Sequence, residues 1–150
     1  MSQTVYQAQK YRTEMLVAST GDRVKNIMKE NKKRKITPYR GQVWTCDFGQ
    51  NVGGEINGIR PCLVIQYNDA NRLSRNTIVL PLDTSNDYPG AIYVPLEEGD
   101  VISLGGYLKG YVIVDQVQVI SKARLGRRIA KLSDNAMNKI GEAMRKVLDV

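Results

Sequence analysis

The residue types that could do chemistry are concentrated in a glycine-rich connection, Asn51–Pro61. This connection carries Glu55 and, at its far end, Arg60. Its glycines permit positive φ angles and a close approach of a ligand to the backbone. The connection lacks the Lys-Ser/Thr pair of a P-loop and the strand–turn–helix setting of a dinucleotide fingerprint, so neither of those nucleotide sites is expected. The structural alternative is a long turn between two strands.

Histidine is absent from the chain, and its absence restricts the possible active sites. It excludes Ser-His-Asp and Cys-His nucleophiles, a paired-histidine ribonuclease and HExxH metalloproteases. The two cysteines, Cys46 and Cys62, form no CxxC motif and provide too few ligands for zinc. We expect both cysteines in the core, and we expect no metal ion and no cofactor.

The charge of the chain is concentrated at its beginning. The 150 residues carry a net charge of +7, and residues 1–40 contain 10 Lys and Arg against 3 Asp and Glu, whereas the remainder contains 12 of each. This excess favours a polyanionic partner. A basic cluster lies just before Pro38 and consists of Lys32, Lys33, Arg34 and Lys35. The cluster belongs either to an electrostatic arm that follows a phosphate backbone or to a solvated charged helix or partly disordered leader.

Hydrophobic periodicity divides the chain into a basic helical or partly disordered extension, residues 1–38, and one domain, residues 39–150. From Gly41 onward the period is two, which predicts short strands. They span Val43–Phe48, Cys62–Tyr67, Thr77–Leu82, Ala91–Leu96, Tyr111–Val119 and Arg127–Leu132. Six such strands indicate a small barrel or a strongly curved sheet, with Pro81 and Pro95 at edges or strand ends.

The end of the chain is predicted to be helical. Ser133 is a good N-cap, apolar residues follow at helical spacing, and Leu132 with Met137 fits a hydrophobic staple. A shorter helical turn is expected over Ser121–Leu125, before Gly126. The fold class is therefore mainly β with α. No segment has the length and apolarity of a membrane span, and no secretory signal is recognisable, so a cytoplasmic protein without membrane association is expected.

Several segments together resemble the MazF/PemK family, the toxins of type II toxin–antitoxin systems. The similarity extends from Tyr39 to Val150. Its motifs are Tyr39-Arg-Gly-Gln-Val-Trp44, Asp47-Phe48, Val52-Gly-Gly-Glu55, Gly58-Ile-Arg-Pro-Cys-Leu-Val-Ile-Gln66, Asn71-Arg72, Thr77-Ile-Val-Leu-Pro81, Asp115-Gln-Val117 and Arg124-Leu125. The joint pattern RGxxW, GxE, RPxLVI and DQV is more specific than any one of its parts.

The resemblance implies a small SH3-like barrel with a C-terminal helix that forms a homodimer. It further implies a metal-independent, sequence-specific endoribonuclease that cleaves single-stranded RNA to 2′,3′-cyclic phosphate and 5′-hydroxyl ends and inhibits growth. A cognate antitoxin is the implied protein partner, and contact with operator DNA is expected only through the antitoxin complex. The alternative function is a non-catalytic barrel of this type that binds DNA or a protein.

The resemblance also assigns the candidate catalytic residues. Arg60 matches the family's arginine after the glycine-rich loop, and a guanidinium stabilises phosphate charge more readily than it transfers a proton. The family has a threonine at the end of the third strand, where this chain has Asp83 followed by Thr84. Either the Asp83 carboxylate acts there as a base, or a one-residue bulge returns the Thr84 hydroxyl to the site. A capped turn is the structural alternative.

The remaining site assignments concern RNA binding. Gln116 could hydrogen-bond a base edge, and Glu55 either contacts RNA or only pairs with Arg60. Gln118 stands where many relatives have a basic residue. Trp44 is expected in the core, and Tyr107 either stacks on an unpaired base or lies on the surface. The residues assigned to RNA binding are Gly54, Glu55, Asn57, Asp115 and Gln116.

Overall fold

The computed structural model describes residues 36–86, 88–90, 92–102 and 108–150. The predictions for residues 1–35, which include the basic cluster Lys32–Lys35, and for Tyr107 lie outside the described residues. The elements in chain order are β1 (Gln42–Asp47), β2 (Ile59–Val64), α1 (Asn68–Leu73), β3 (Asn76–Asp83), β4 (Tyr93–Pro95), β5 (Tyr111–Ile113), β6 (Gln118–Ser121), a 3-10 turn (Lys122–Arg124), β7 (Leu125–Lys131) and α2 (Asp134–Leu148). The predicted class, mainly β with a C-terminal helix, is confirmed.

The strands form one antiparallel sheet in the order β4-β5-β3-β2-β1-β7, and β6 also pairs with β3. A bridge between Val101 and Leu132 joins the segment after β4 to the segment after β7. The N–H of Ile102 donates to the carbonyl of Lys131 over 2.8 Å and reinforces this contact. The two edges of the sheet therefore meet, which gives the strong curvature that many short strands predict.

The observed strands correct three sequence predictions. β2 begins and ends three residues earlier than predicted, and Tyr111–Val119 forms two strands, β5 and β6, that pair with opposite ends of β3. Pro81 lies neither on an edge strand nor at a strand end: it is inside the central strand β3, between the residues paired with β6 and those paired with β5. Because β3 lacks a partner on that side at this point, the missing N–H of the proline leaves no ladder bond unmade. Pro95 does end the edge strand β4, as predicted.

Alternation along the strands creates two apolar clusters on opposite faces of the sheet. On β2, Leu63 belongs to one cluster, whereas Cys62 and Val64 belong to the other. The helix-side core is the cluster that α2 covers, and it contains Val43, Leu63, Leu80, Leu82, Val112, Ala136, Ile140 and Ala143 among others. The loop-side cluster contains Cys46, Phe48, Ile56, Cys62, Val64, Val79, Ile120 and Leu125, with Trp44 packed against it.

The predicted core positions of the cysteines and of Trp44 agree with these clusters. Cys46 and Cys62 are buried and unbridged. Burial raises the pKa of the Cys62 thiol well above its usual range, so this thiol stays protonated. Trp44 is half-buried, and its Nε1–H donates to Gln42 Oε1 over 3.0 Å.

The C-terminal helix begins at the predicted cap. The Ser133 hydroxyl accepts a hydrogen bond from the N–H of Ala136, and Asp134 lies in the first turn, where a negative charge is favourable. Ile140 and Ala143 are buried against the sheet. No described helix has the length and apolarity required to span a membrane.

Candidate active site

Arg60 and Asp83 lie side by side at neighbouring strand positions on the loop-side face. Arg60 shares this face with Cys62 and Val64, and Asp83 shares it with Val79, because side chains alternate along β2 and β3. Arg60 Nη1 lies 3.9 Å from Asp83 Oδ1. The Arg60 side chain is 26% exposed, whereas that of Asp83 is 3% exposed. The cation therefore faces solvent and the carboxylate lies behind it.

The glycine-rich connection fixes the Arg60 side chain. Arg60 Nε donates to the backbone carbonyl of Asn57 over 3.0 Å. No hydrogen bond to another described residue occupies its two Nη nitrogens, so these donors can serve a bound anion. A guanidinium binds phosphate oxygens in a fork and stays charged at any ordinary pH. Arg60 is therefore a partly exposed cation whose Nε is fixed and whose Nη donors are available to a ligand.

Asp83 is held by four hydrogen bonds from the segment that follows β3. Its Oδ1 accepts from the N–H and the hydroxyl of Ser85, each over 2.9 Å. Its Oδ2 accepts from Asn86 Nδ2 over 3.1 Å and from the Tyr88 hydroxyl over 2.6 Å. Burial alone would raise the pKa of Asp83, but these hydrogen bonds outweigh it and lower the pKa to about 2. The carboxylate is ionised at neutral pH and is a weak base.

Thr84 follows β3 rather than belonging to it. The pairing of β3 with β5 runs from Leu82 opposite Val112 to Asp83 opposite Tyr111, with no shift in register. This regular pairing does not contain the bulge considered for Thr84. No hydrogen bond joins the Thr84 hydroxyl to a residue that the structure describes, and Thr84 lines an open cleft beside Asp83.

Gln116 lies in the loop between β5 and β6, and its side chain contacts the glycine-rich connection. Its Oε1 accepts from the N–H of Ile56 over 2.7 Å, and its Nε2 donates to the carbonyl of Gly54 over 3.3 Å. Asn51 adds a bond within the connection, from its Nδ2 to the Ile56 carbonyl over 2.6 Å, and its N–H donates to Asn57 Oδ1. These contacts hold the backbone from which Arg60 extends. Both polar atoms of the Gln116 side chain contact this backbone.

Glu55 and Gly54 lie at the exposed tip of the connection. The carboxylate that pairs with Arg60 is Asp83, so the structure does not bring Glu55 and Arg60 together as an ion pair. Asp115 is also exposed, and its Oδ2 accepts from the Tyr93 hydroxyl over 3.1 Å. The hydrogen bond to Asp115 raises the pKa of Tyr93. Within the described residues, no three Cys, Asp or Glu side chains are grouped so that they could hold a metal ion.

Three tyrosines next to the Arg60–Asp83 pair were not singled out from the sequence. The ring of Tyr88 lies 5.1 Å from that of Tyr93 and 5.8 Å from that of Tyr111, measured between centroids. The hydrogen bond to Asp83 and burial raise the pKa of Tyr88 to about 12, although the charge of Arg60 lowers it. The alternation of β4 and β5 could have placed Tyr93 and Tyr111 on the polar face, but their closeness to Asp83 depends on strand pairing.

The fold and the site together define a small, strongly curved β-sheet protein with a partly exposed arginine, paired with a buried carboxylate, beside a glycine-rich loop. The sequence-family model of the PemK-like, MazF-like toxins of type II toxin–antitoxin systems matches residues 39–148 of this chain. The chain therefore belongs to this toxin family, and the resemblance seen in the sequence is confirmed.

Individual relatives agree with this membership. Endoribonuclease EndoA of Bacillus subtilis is 33% identical over 106 residues, which cover 71% of this chain and 90% of that protein. Endoribonuclease PemK of Escherichia coli is 29% identical over 112 residues, covering 72% and 80%. A solved mycobacterial endoribonuclease in complex with its cognate antitoxin superposes with a TM-score of 0.62 at 28% identity, covering 75% of this chain and 96% of that one.

Proposed function

We propose that this toxin is a sequence-specific endoribonuclease that cleaves single-stranded RNA without a metal ion. The products are 2′,3′-cyclic phosphate and 5′-hydroxyl ends. The family and the names of its relatives support the class of reaction. The observation in this chain that carries the proposal is Arg60: a partly exposed guanidinium, fixed to the Asn57 carbonyl, beside a buried carboxylate.

In this reaction the ribose 2′-oxygen attacks the adjacent phosphorus and the bond from phosphorus to the 5′-oxygen breaks. The 2′-hydroxyl loses its proton and the leaving 5′-oxygen gains one, so that no net proton is consumed. Negative charge accumulates on the phosphate oxygens while these bonds exchange. Arg60 stabilises that charge through its Nη donors. Its Nε remains bonded to Asn57, so the guanidinium is oriented before the substrate binds. A fixed donor needs no reorganisation when the charge develops.

Asp83 and Thr84 have different roles at the second position of the site. A carboxylate with a pKa of about 2 that already accepts four hydrogen bonds removes a proton poorly at neutral pH. We assign Asp83 to positioning, since it holds Tyr88 and lies next to Arg60. Thr84 supplies a hydroxyl that can contact the phosphate or the 2′-hydroxyl. Arg60 and the four donors offset the charge of Asp83, which reduces its repulsion of the phosphate.

The loop residues complete the RNA surface. Gly54, Glu55 and Asn57 belong to the connection beside Arg60, and Asp115 lies at the exposed end of Tyr93. We propose that these residues contact RNA. Gln116 acts in the same surface by holding the connection.

The proposed partners follow from the family. We propose a homodimer in the cytoplasm that a cognate antitoxin neutralises, with operator DNA contacted only through the toxin–antitoxin complex. We also propose that the basic cluster Lys32–Lys35, in the N-terminal extension 1–38, increases the affinity for RNA. The non-catalytic alternative is not favoured, because the curated relatives described above are named endoribonucleases.

The test is incubation of the purified chain with a long unstructured RNA in EDTA, followed by mapping of new 5′ ends. We expect cuts at a recurring short motif that Arg60→Ala abolishes and Arg72→Ala leaves unchanged. Arg72 is a matched control because it pairs with Asp69 on the exposed surface of α1, away from this site. RNA that stays intact with the unmodified protein would contradict the proposal.

A further inference from the structure

A cleft of about 370 Å³ opens next to the Arg60–Asp83 pair, between the residues after β3 and those around the start of β5. Thr84 and Asn86 line one side of the cleft, and Lys109 and Tyr111 line the other. Its volume is at the small end of the range for ligand sites, where a single nucleotide fits and a folded segment does not. Because Thr84 belongs both to this lining and to the proposed second position of the site, the cleft adjoins the proposed site.

Close backbone packing fixes the cleft relative to the site. Gly110 has a φ angle of +135°, and a Cβ atom at this residue would lie 2.3 Å from the Asp83 carbonyl oxygen and 2.9 Å from Thr84 Cα. Only glycine permits this approach. The wall that carries Lys109 and Tyr111 is thus held directly against the end of β3.

Tyr111, which lines the cleft, is ordered by ring contacts and hydrogen bonds that lie behind it. Tyr111 packs on Tyr88, Tyr88 packs on Tyr93, and the hydroxyls of Tyr88 and Tyr93 donate to Asp83 and Asp115. Tyr111 is also the direct cross-strand partner of Asp83. Rings that are oriented before binding lose little entropy when a base stacks on them.

We propose that this cleft binds one unpaired nucleotide of the RNA, adjacent to the nucleotide whose phosphate contacts Arg60. Tyr111 stacks on the base, and Lys109 contacts a backbone phosphate. Asn86 Oδ1 provides an acceptor for the base edge, since only its Nδ2 is used by Asp83, and this makes the cleft a determinant of the sequence cut. This inference rests on the proposed function, because it takes single-stranded RNA as the ligand.

Equilibrium binding of a fully 2′-O-methylated, mixed-sequence oligoribonucleotide to the full chain tests the subsite without cleavage. The ring is essential if it stacks, so Tyr111→Leu is expected to weaken binding ~5- to 100-fold, whereas Tyr111→Phe stays within about 2-fold of the unmodified protein. Tyr67→Leu is the matched control, since Tyr67 is 65% exposed beside α1 and should not affect binding. Lys109→Gln is expected to reduce the salt dependence of binding by about one phosphate contact.

The outcomes separate this inference from the proposed function. Ring-dependent binding by a protein that cleaves no RNA would preserve the subsite and overturn the activity. Cleavage and binding that are both unchanged in a folded Tyr111→Leu would overturn the subsite alone. If Tyr111→Leu does not fold, the Lys109→Gln variant decides: a salt dependence of RNA binding equal to that of the unmodified protein would overturn the subsite. A lack of any RNA binding by the unmodified protein would also overturn it.

Discussion

On the face of the sheet beneath α2, apolar side chains pack against one another, whereas on the opposite face a loop is held in place mainly by polar contacts. The helix-side core includes Leu63, Leu80 and Ile140, each at most 1% exposed. The loop-side cluster is smaller, and the connection above it buries Ile56 but otherwise depends on hydrogen bonds from Gln116 and Asn51. The comparison indicates that stability comes mainly from the first face and the site from the second.

The largest effect on stability is expected from Ile140→Ala on the helix side. The substitution leaves a cavity in closely packed surroundings, so the free energy of unfolding should fall by about 2–5 kcal/mol. Urea unfolding measures the change. Asn138→Ala on the exposed face of the same helix is the control and should stay within about 0.5 kcal/mol. A loss below about 1 kcal/mol for Ile140→Ala would remove the proposed difference between the faces.

A smaller loss with a marked pH dependence is expected from Asp83→Asn. Several donors lose a charged acceptor, so the free energy of unfolding at neutral pH should fall by about 1–3 kcal/mol. Because the folded pKa of about 2 is below the ordinary 3.8, this stabilisation is present above the ordinary value and disappears as the pH falls towards 2.

Urea unfolding at several pH values tests the role of Asp83. The difference between the unmodified protein and Asp83→Asn should shrink between pH 4 and pH 2. Asp69→Asn, whose side chain is 68% exposed, is the control for removing a surface carboxylate. A difference that is constant over this range would show that the ionised carboxylate does not stabilise the site.

Gln116→Ala tests whether the Gln116 side chain holds the glycine-rich connection in place. Loss of the acceptor for the Ile56 N–H should accelerate exchange of that amide by about 5-fold, which corresponds to roughly 1 kcal/mol. Hydrogen exchange followed by NMR without RNA measures this effect separately from base recognition. Gln118→Ala, on β6, is the control. Unchanged exchange at Ile56 together with an altered cleavage motif would instead assign Gln116 to reading the RNA.

The smallest effect is expected for Tyr88 in alkaline solution. Its pKa of about 12 means that the stabilisation from its protonated hydroxyl is present below pH 10 and is lost as the pH rises towards 12. Comparison of the absorbance titrations of Tyr88→Phe and the unmodified protein should show the loss of one phenol that ionises near pH 12. If the phenol that Tyr88→Phe removes instead ionises near pH 10, the hydrogen bond from Tyr88 to Asp83 does not hold in solution.

The sequence predicted those strands and helices whose signals lie within their own residues. β1, β3 and α2 were placed to within about one residue, since alternation, helical spacing and the Ser133 cap lie inside the segments themselves. The shift in β2 arose because pairing sets its limits: Arg60 lies opposite Cys46 and extends the strand towards the loop. Helix α1 was missed because it is six residues long and is centred on Asn71, which is buried and polar.

The candidate site was less predictable from the sequence than these strands and helices. Arg60 was assigned to the site from its loop and from the family resemblance, and in the structure its Nη1 lies 3.9 Å from Asp83 Oδ1. The surroundings of Asp83 were not predictable, because a carboxylate after a strand is equally typical of a base and of a capped turn. The tyrosine layer was missed since Tyr88, Tyr93 and Tyr111 come together only through the β3–β5 and β4–β5 pairings.

The separation of the two faces is tested most directly by measuring cleavage rate and unfolding free energy for Arg60→Ala and Ile140→Ala together. We predict that Arg60→Ala lowers the cleavage rate at least ~100-fold with little change in stability. Ile140→Ala should lower stability by about 2–5 kcal/mol while the folded fraction cleaves at the normal rate. A stable Arg60→Ala protein that cleaves RNA at the normal rate would contradict the account.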